Sequence, residues 1–311
     1  MGFVEVAVQM GTLVIPIVVG FLANKLGYLD EELDGRITTL VLDIALPCMI
    51  IASVSSVSTP LGLATILQLL GFSTVGYLLV LVLALLVPRL MGAPAASRGV
   101  YSFMVMFGNV GFIGFPVIST IYGSEAVVYA AIANIPWHIL VFSLGVVLVR
   151  GQAGSPRELA VSCAKRLRTP VVLACFVLLA LVLAGVTSLG VLGAGLGVVG
   201  DLTTPAALLV TGSTLARYRP AEMISNWRAY VVTACRLLVV PVLLAAALGP
   251  FIADDFLRGV IIVGQAMPMA TNGTLFCLQY DVDARPMLQG TFLSVIASIV
   301  TIPFVVLLAA L

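Results

Sequence analysis

Apolar residues in this chain fall into runs of about 20, the length that crosses a ~30 Å hydrocarbon core as a helix. The runs lie at 6–24, 37–56, 66–88, 100–121, 126–149, 169–188, 191–216, 229–248, 257–278 and 287–310. They do not alternate with period two, as strands of a membrane barrel would. The pattern predicts an all-α integral membrane protein of ten transmembrane helices. The connections are short except for 150–168, which is polar and basic and divides the chain almost in half.

The positions of Lys and Arg give the orientation. With the N-terminus outside, thirteen of the fifteen fall in inside loops, Arg258 falls outside, and Arg236 lies within a span. Both termini are therefore expected to be extracytoplasmic in a multi-pass cell membrane protein. A miscounted span would mix the two groups, so the bias also supports the count of ten. The N-terminus lacks the basic stretch of a signal peptide, so the first span should be retained.

The two halves resemble each other. Asp43-Ile-Ala-Leu-Pro47 matches Asp201-Leu-Thr-Thr-Pro205 at an offset of 158 residues. Tyr122-Gly-Ser-Glu125-Ala126 matches Tyr280-Asp-Val-Asp283-Ala284 at the same offset, and Ser55 and Ser213 keep it too. Each half has an odd number of spans, so the repeats 1–149 and 169–311, joined by the linker 150–168, must be inverted. Inverted repeats are a transporter architecture, with the solute site near the midplane where a helix of each half is broken.

The breaks are visible. Span 4 carries Gly108-Asn109-Val-Gly111-Phe-Ile-Gly114-Phe-Pro116, and span 9 carries Gln265-Ala-Met-Pro268-Met-Ala-Thr271-Asn272-Gly273. The two stretches align under the same offset. Gly and Pro weaken the helical ladder, and freed backbone groups are tolerated only where protein or a wet cavity satisfies them. Exposed N–H groups of a half-helix suit an anion. Asn109, Thr271 and Asn272 add neutral donors and acceptors. The candidate solute-binding set is Gly108, Asn109, Gly111, Gly114, Gln265, Pro268, Thr271, Asn272 and Gly273.

Composition removes other classes. The chain is 61% hydrophobic and 9% charged, with net charge +1, which leaves no basic footprint for nucleic acid. Cys48, Cys163, Cys175, Cys235 and Cys277 show no metal-ligand spacing, so neither a disulfide nor a metal site is expected. A single histidine and the lack of an HExxH or Walker A motif argue against an intramembrane enzyme or an ATP-driven pump.

With Leu46-Pro47, Gly108-Asn109 through Pro116, Ala266-Met267-Pro268, Tyr280-Asp281, Thr291, Ser294 and Pro303 in view, the chain resembles the auxin efflux carrier family. That family includes bacterial malonate and malate transporters and plant PIN exporters. The resemblance implies a fold like that of the bile acid sodium symporters. Spans 1, 2, 6 and 7 would form a scaffold and homodimer interface. Spans 3–5 and 8–10 would form a mobile core in which helices 4 and 9 cross. It also implies a secondary carrier of small organic anions working by an elevator-like motion, with Asn109 and Pro268–Gly273 at the site and no cofactor beyond possible Na⁺ or H⁺ coupling. Plant exporters place a proline between two asparagines in span 4. Here Asn109 is followed by Val110 and Gly111, which favours a small mono- or dicarboxylate over an auxin-like aromatic one. A sodium-coupled symporter, a channel and a transporter-like receptor remain alternatives.

Polar residues at bilayer depth are costly and need a reason. Asp43 and Asp201 are candidates for coupling or for structural hydrogen bonding. Arg236 could steady a solute carboxylate, pair within the core or reach the cytoplasmic face, and a structural role is favoured. Thr291 and Ser294 would bond across helices or help ligate sodium. The lone His138, beside Trp137, reads as a packing group. Tyr101, Tyr122, Trp227 and Tyr280 read as interfacial anchors, and the acidic run Asp30–Asp34 as a solvated loop.

Overall fold

A computed structural model describes residues 3–151 and 168–309, with side chains from residue 12 onward. Most of the expected linker, and Cys163 with it, lies outside the described residues. Among those described, all regular structure is helical apart from one two-residue bridge. The helices are α1 (Phe3–Lys25), α2 (Glu31–Ser56), α3 (Leu63–Leu90), α4 (Ala95–Met106), α5 (Val110–Tyr122) and α6 (Glu125–Arg150). After the linker come α7 (Pro170–Leu183), α8 (Gly190–Arg217), α9 (Trp227–Phe251), α10 (Asp255–Gly264), α11 (Asn272–Gln279) and α12 (Arg285–Ala309).

Six of these (α2, α3, α6, α8, α9 and α12) are long and apolar enough to cross a membrane. Three shorter apolar helices, Thr12–Lys25, α5 and α7, accompany them. Large apolar side chains face outward on several helices; Val191 is 91% exposed and Val198 76%. Water would penalise such surfaces, whereas lipid tails accept them.

Among the described residues, proline positions account for three of the four wide turns; the fourth, Val141–Gly145 in α6, is followed by Val146-Val147. Val41–Ala45 in α2, Val110–Gly114 in α5 and Cys235–Val239 in α9 are wide, π-helical turns. Each is followed at the second residue by a proline: Pro47, Pro116 and Pro241. A proline ring clashes with the carbonyl four residues back and offers no N–H. A wide turn moves that carbonyl aside without ending the helix. Two of these turns carry charge at bilayer depth, Asp43 in α2 and Arg236 in α9.

The described chain forms two compact units, each drawing on both halves of the sequence. The first comprises the described residues of Met1–Gly71, Gly111–Ile135 and Arg168–Tyr218. In it α1 lies against the second part of α8 at glycine contacts. A Cβ on Gly20 would overlap the Leu209 backbone, and one on Gly212 the Ile17 backbone. Gly200 similarly lets α8 cross α2 against the Met49 backbone. Small residues allow this proximity, which replaces the hydrophobic drive that lipid does not supply.

The same unit corrects the reading of Asp30–Asp34 as a solvated loop. Asp30 caps α2 by accepting from Leu33 N at 2.8 Å, and Glu31, Glu32 and Asp34 occupy the first turn, where the helix dipole favours negative charge. Asp34 is only 3% exposed. Its Oδ2 accepts from Ser213 Oγ and Arg217 Nη1, both at 2.6 Å, and Asn24 Nδ2 donates to Ser213 Oγ at 3.1 Å. These bonds tie the ends of α1, α2 and α8 together.

The second unit comprises the described residues of Phe72–Val110, Pro136–Leu167 and Arg219–Leu311. Its core is α4, α9, α10 and α12, with the later part of α6 and α11. Tyr101 is buried here rather than anchoring an interface; its hydroxyl accepts from Asn226 Nδ2 at 3.0 Å. Trp227 does sit at a surface, 54% exposed, beneath the Arg228 guanidinium at 5.0 Å.

The Asp34 cluster yields a test. Breaking a buried ion pair strands its partner, a cost of about 3–5 kcal/mol when both charges are fully buried. Arg217 is 29% exposed, so Asp34→Ala is expected to destabilise by about 2–3 kcal/mol. Asp34→Asn, which keeps an acceptor for Ser213, should cost less. Denaturation of the purified variants in detergent checks the order.

Candidate functional site

The second unit contains two places where the chain leaves helical geometry inside an apolar stretch. α4 stops at Met106, and Phe107 is extended, at φ −115° and ψ 116°. α10 stops at Gly264, and the chain stays non-helical until α11 begins at Asn272. The two breaks lie antiparallel and bridge at Gly108 and Met269. Asn109 N donates to Pro268 O at 2.6 Å, and Ala270 N donates to Phe107 O at 3.0 Å. Each break thus satisfies backbone groups that the other leaves without a helical partner, as a break at bilayer depth requires.

Side chains hold this bridge. Ser294 Oγ of α12, fully buried, accepts from Met269 N at 3.1 Å and donates to Thr291 O at 3.1 Å. Arg236 from the wide turn of α9 is 0% exposed. Its Nη1 donates to Val105 O and Met106 O at the end of α4, and its Nε to Met267 O, all at 3.3 Å. Tyr77 of α3, also fully buried, places its hydroxyl near the guanidinium and the Gln265 side chain. A Cβ on Gly108 would collide with Arg236 Nη2, so a larger residue there would have to displace the guanidinium. Gly273 is similarly fixed by Met287 and Phe103, and Gly290 by Met104 and Met269.

Rings line the same region. Phe107 lies 4.9 Å from Phe103 and 6.3 Å from Trp137 between centroids, and Phe276 of α11 sits edge-on to Phe103 at 5.8 Å and to Phe142 at 6.1 Å. His138 is buried edge-on to Trp137 at 5.1 Å.

Of the residues singled out from the sequence, ten belong to this unit: Gly108, Asn109, Gln265, Pro268, Thr271, Asn272, Gly273, Arg236, Thr291 and Ser294. Gly108, Asn109 and Pro268 meet in the bridge, and Arg236 and Ser294 brace it. Asn109 and Gln265 are buried, while Asn272 is half-buried and Thr271 is exposed. Thr271 precedes α11 without its side chain capping it. Its side chain is exposed, while the amides of Gly273 and Thr274 behind it bond to Ala270 O and Thr271 O.

Gly111, Gly114, Asp43 and Asp201 belong to the other unit. Gly111 and Gly114 lie in the wide turn that opens α5. Asp43 and Asp201 are exposed on apolar helices, the first in a wide turn and the second where α8 is interrupted. Neither joins an ion pair among the described residues. Tyr77 was missed from the sequence. A tyrosine in the middle of the long apolar run of α3 was the available signal.

Two breaks that satisfy each other's backbone inside a helical membrane unit, braced by a buried cation, define a transport-type membrane protein. The chain belongs to the membrane transport protein family (Mem_trans), an auxin efflux carrier-like family, whose model matches residues 6–306. It is 25% identical to an uncharacterized transporter of Methanothermobacter thermautotrophicus, over 97% of each chain. It is 23% identical to the uncharacterized transporter YfdV of Escherichia coli K12, over 94% of this chain and 93% of that one.

The bridge makes Ser294 testable. Ser294→Ala strands the buried Met269 N–H and is expected to cost about 1–3 kcal/mol. Thr291→Val removes a buried hydroxyl that has no partner and should be near neutral. Thermal melts of both variants against the unmutated protein give the comparison.

Proposed function

We propose that the chain is a secondary carrier of small organic anions, mono- or dicarboxylates, that binds its solute at the crossing of the two breaks. The observation that carries this reading is the mutual bridge of Gly108 and Met269, flanked by the exposed Thr271 and half-buried Asn272 where α11 begins. Helix N-termini suit carboxylates. Asn109 and Asn272 add donors without the cost of a buried negative charge. The shared offset of the two breaks supports a ten-helix arrangement of two inverted five-helix repeats. In that arrangement scaffold helices would pair two copies, and the core would move in an elevator-like alternation between the two faces of the cell membrane.

The uneven placement of Lys and Arg supports extracytoplasmic termini. Asp43 and Asp201, exposed on apolar surfaces, are the carboxylates best suited to proton or cation coupling, since a charge at that depth is otherwise unfavourable. One observation favours the alternative solute, an auxin-like aromatic carboxylate: the rings of Phe103, Phe107, Trp137, Phe142 and Phe276 gather beside the crossing.

Uptake into proteoliposomes tests the reading. Saturable counterflow of malonate or malate is expected, and indole-3-acetate should compete only weakly; the reverse order would transfer the assignment to the aromatic solute. Asn109→Ala and Asn272→Ala should each reduce counterflow by about tenfold or more while the protein still folds, the loss of one to two buried polar contacts. Normal counterflow in both variants would remove the crossing as the site. If flux follows a Na⁺ or proton gradient, Asp201→Asn should abolish that dependence.

A further inference from the structure

Arg236 poses a problem that the carrier reading leaves open. It is the one charged side chain among the described residues that lies deep within a span of the second unit and is fully buried. A buried cation ordinarily needs a carboxylate. Among the described residues no Asp or Glu meets it; the groups acting on it electrostatically are Tyr77 and Cys235. Its hydrogen-bond partners are instead three main-chain carbonyls, from Val105, Met106 and Met267. Two of these lie at the C-terminal end of α4 and the third lies just past the end of α10.

Helix C-termini carry unsatisfied carbonyls and a partial negative charge. In water such carbonyls bond to solvent. At a break in a bilayer they have none. An arginine answers both needs, because its planar fork carries five donors in fixed directions and keeps its charge in apolar surroundings. A lysine is a point charge and reaches fewer carbonyls in one geometry. Residues of the unit itself crowd the guanidinium, and its Nη2 is left without a hydrogen-bond partner among the described residues. Gly108 has no side chain because Nη2 occupies that space, and Tyr77 and Gln265 close the other side.

We propose that Arg236 is a positioning residue that caps α4 and at the same time grips the break that follows α10, and thereby holds Asn109 and Pro268–Asn272 in the arrangement that binds solute, without touching the solute itself. All its contacts lie in one unit, so the clamp and its positive charge stay with the crossing. Because no carboxylate cancels it, that charge also biases the crossing toward anions. The step from clamp to solute rests on the carrier reading; the clamp itself does not.

Hydrogen–deuterium exchange of the purified full-length protein in detergent tests the clamp without any solute. In Arg236→Met, peptides covering 103–110 and 265–272 should exchange faster by about tenfold or more, as a locally opened segment does. Peptides from 12–56 and 170–217 should keep their protection. Arg236→Lys should fall between. Gly108→Ala in the unmutated background should release the same peptides, since its methyl displaces the guanidinium. In the Arg236→Met background Gly108→Ala should add little, the non-additivity expected of touching residues. Unchanged protection of 103–110 and 265–272 in Arg236→Met would overturn the proposal. So would additive effects of the two substitutions, or uniform loss of protection across both units. If Arg236→Met does not fold, Gly108→Ala with Arg236→Lys carries the same comparison. Loss of malonate counterflow in Arg236→Met with intact protection at the crossing would contradict the clamp while leaving the carrier reading standing.

Discussion

The second unit depends on one constraint: backbone N–H and C=O groups freed by two helix breaks must find partners where water and lipid offer few. The chain meets it twice. The breaks bond to each other through Asn109 and Pro268 and through Ala270 and Phe107. The carbonyls at the helix ends bond to Arg236, and the Met269 amide bonds to Ser294. Neither solution works without close approach, which explains why Gly108, Gly273 and Gly290 lie under neighbouring side chains rather than in flexible loops. A membrane protein gains nothing by breaking a helix unless the opened backbone serves something. That ties the geometry to transport in a member of the membrane transport protein family.

The two units handle charge differently. In the second, the deep cation is enclosed and held by main-chain carbonyls, with no carboxylate against it among the described residues. In the first, Asp34 is enclosed by Arg217 and Ser213 at the end of the spans, while Asp43 and Asp201 are left exposed. Enclosed charges fix structure. Asp43 and Asp201 are not enclosed in this way, and the proposed coupling is placed on them rather than on Arg236.

Much of this was legible in the chain. Each apolar run falls on a helix or on a broken pair of helices, and six of the helices are long and apolar enough to cross a membrane. The glycines and prolines of 108–116 and 265–273 marked where the helices fail. Other features were not legible. Pro47 and Pro241 look like breaks but are absorbed by wide turns, and whether a turn widens or opens depends on what packs against it. Asp34 looked solvated because the residues that enclose it, Ser213 and Arg217, are some 180 positions away. The sequence favours a structural role for Arg236, by snorkelling or by pairing in the core, but the main-chain acceptors it uses have no sequence signature. Tyr77 was hidden in an apolar run because the side chains it faces, Arg236 and Gln265, lie far along the chain.

The central claim is that the crossing is a wet, solute-accessible break and not a dry kink. Cysteine accessibility in proteoliposomes tests it most directly. In a background with the five native cysteines replaced by alanine, Thr271→Cys should react with a membrane-impermeant maleimide from one side of the bilayer. Val300→Cys, on an outward face of α12 that is 74% exposed, should stay unreactive because lipid covers it. Equal inertness of the two positions would contradict the account.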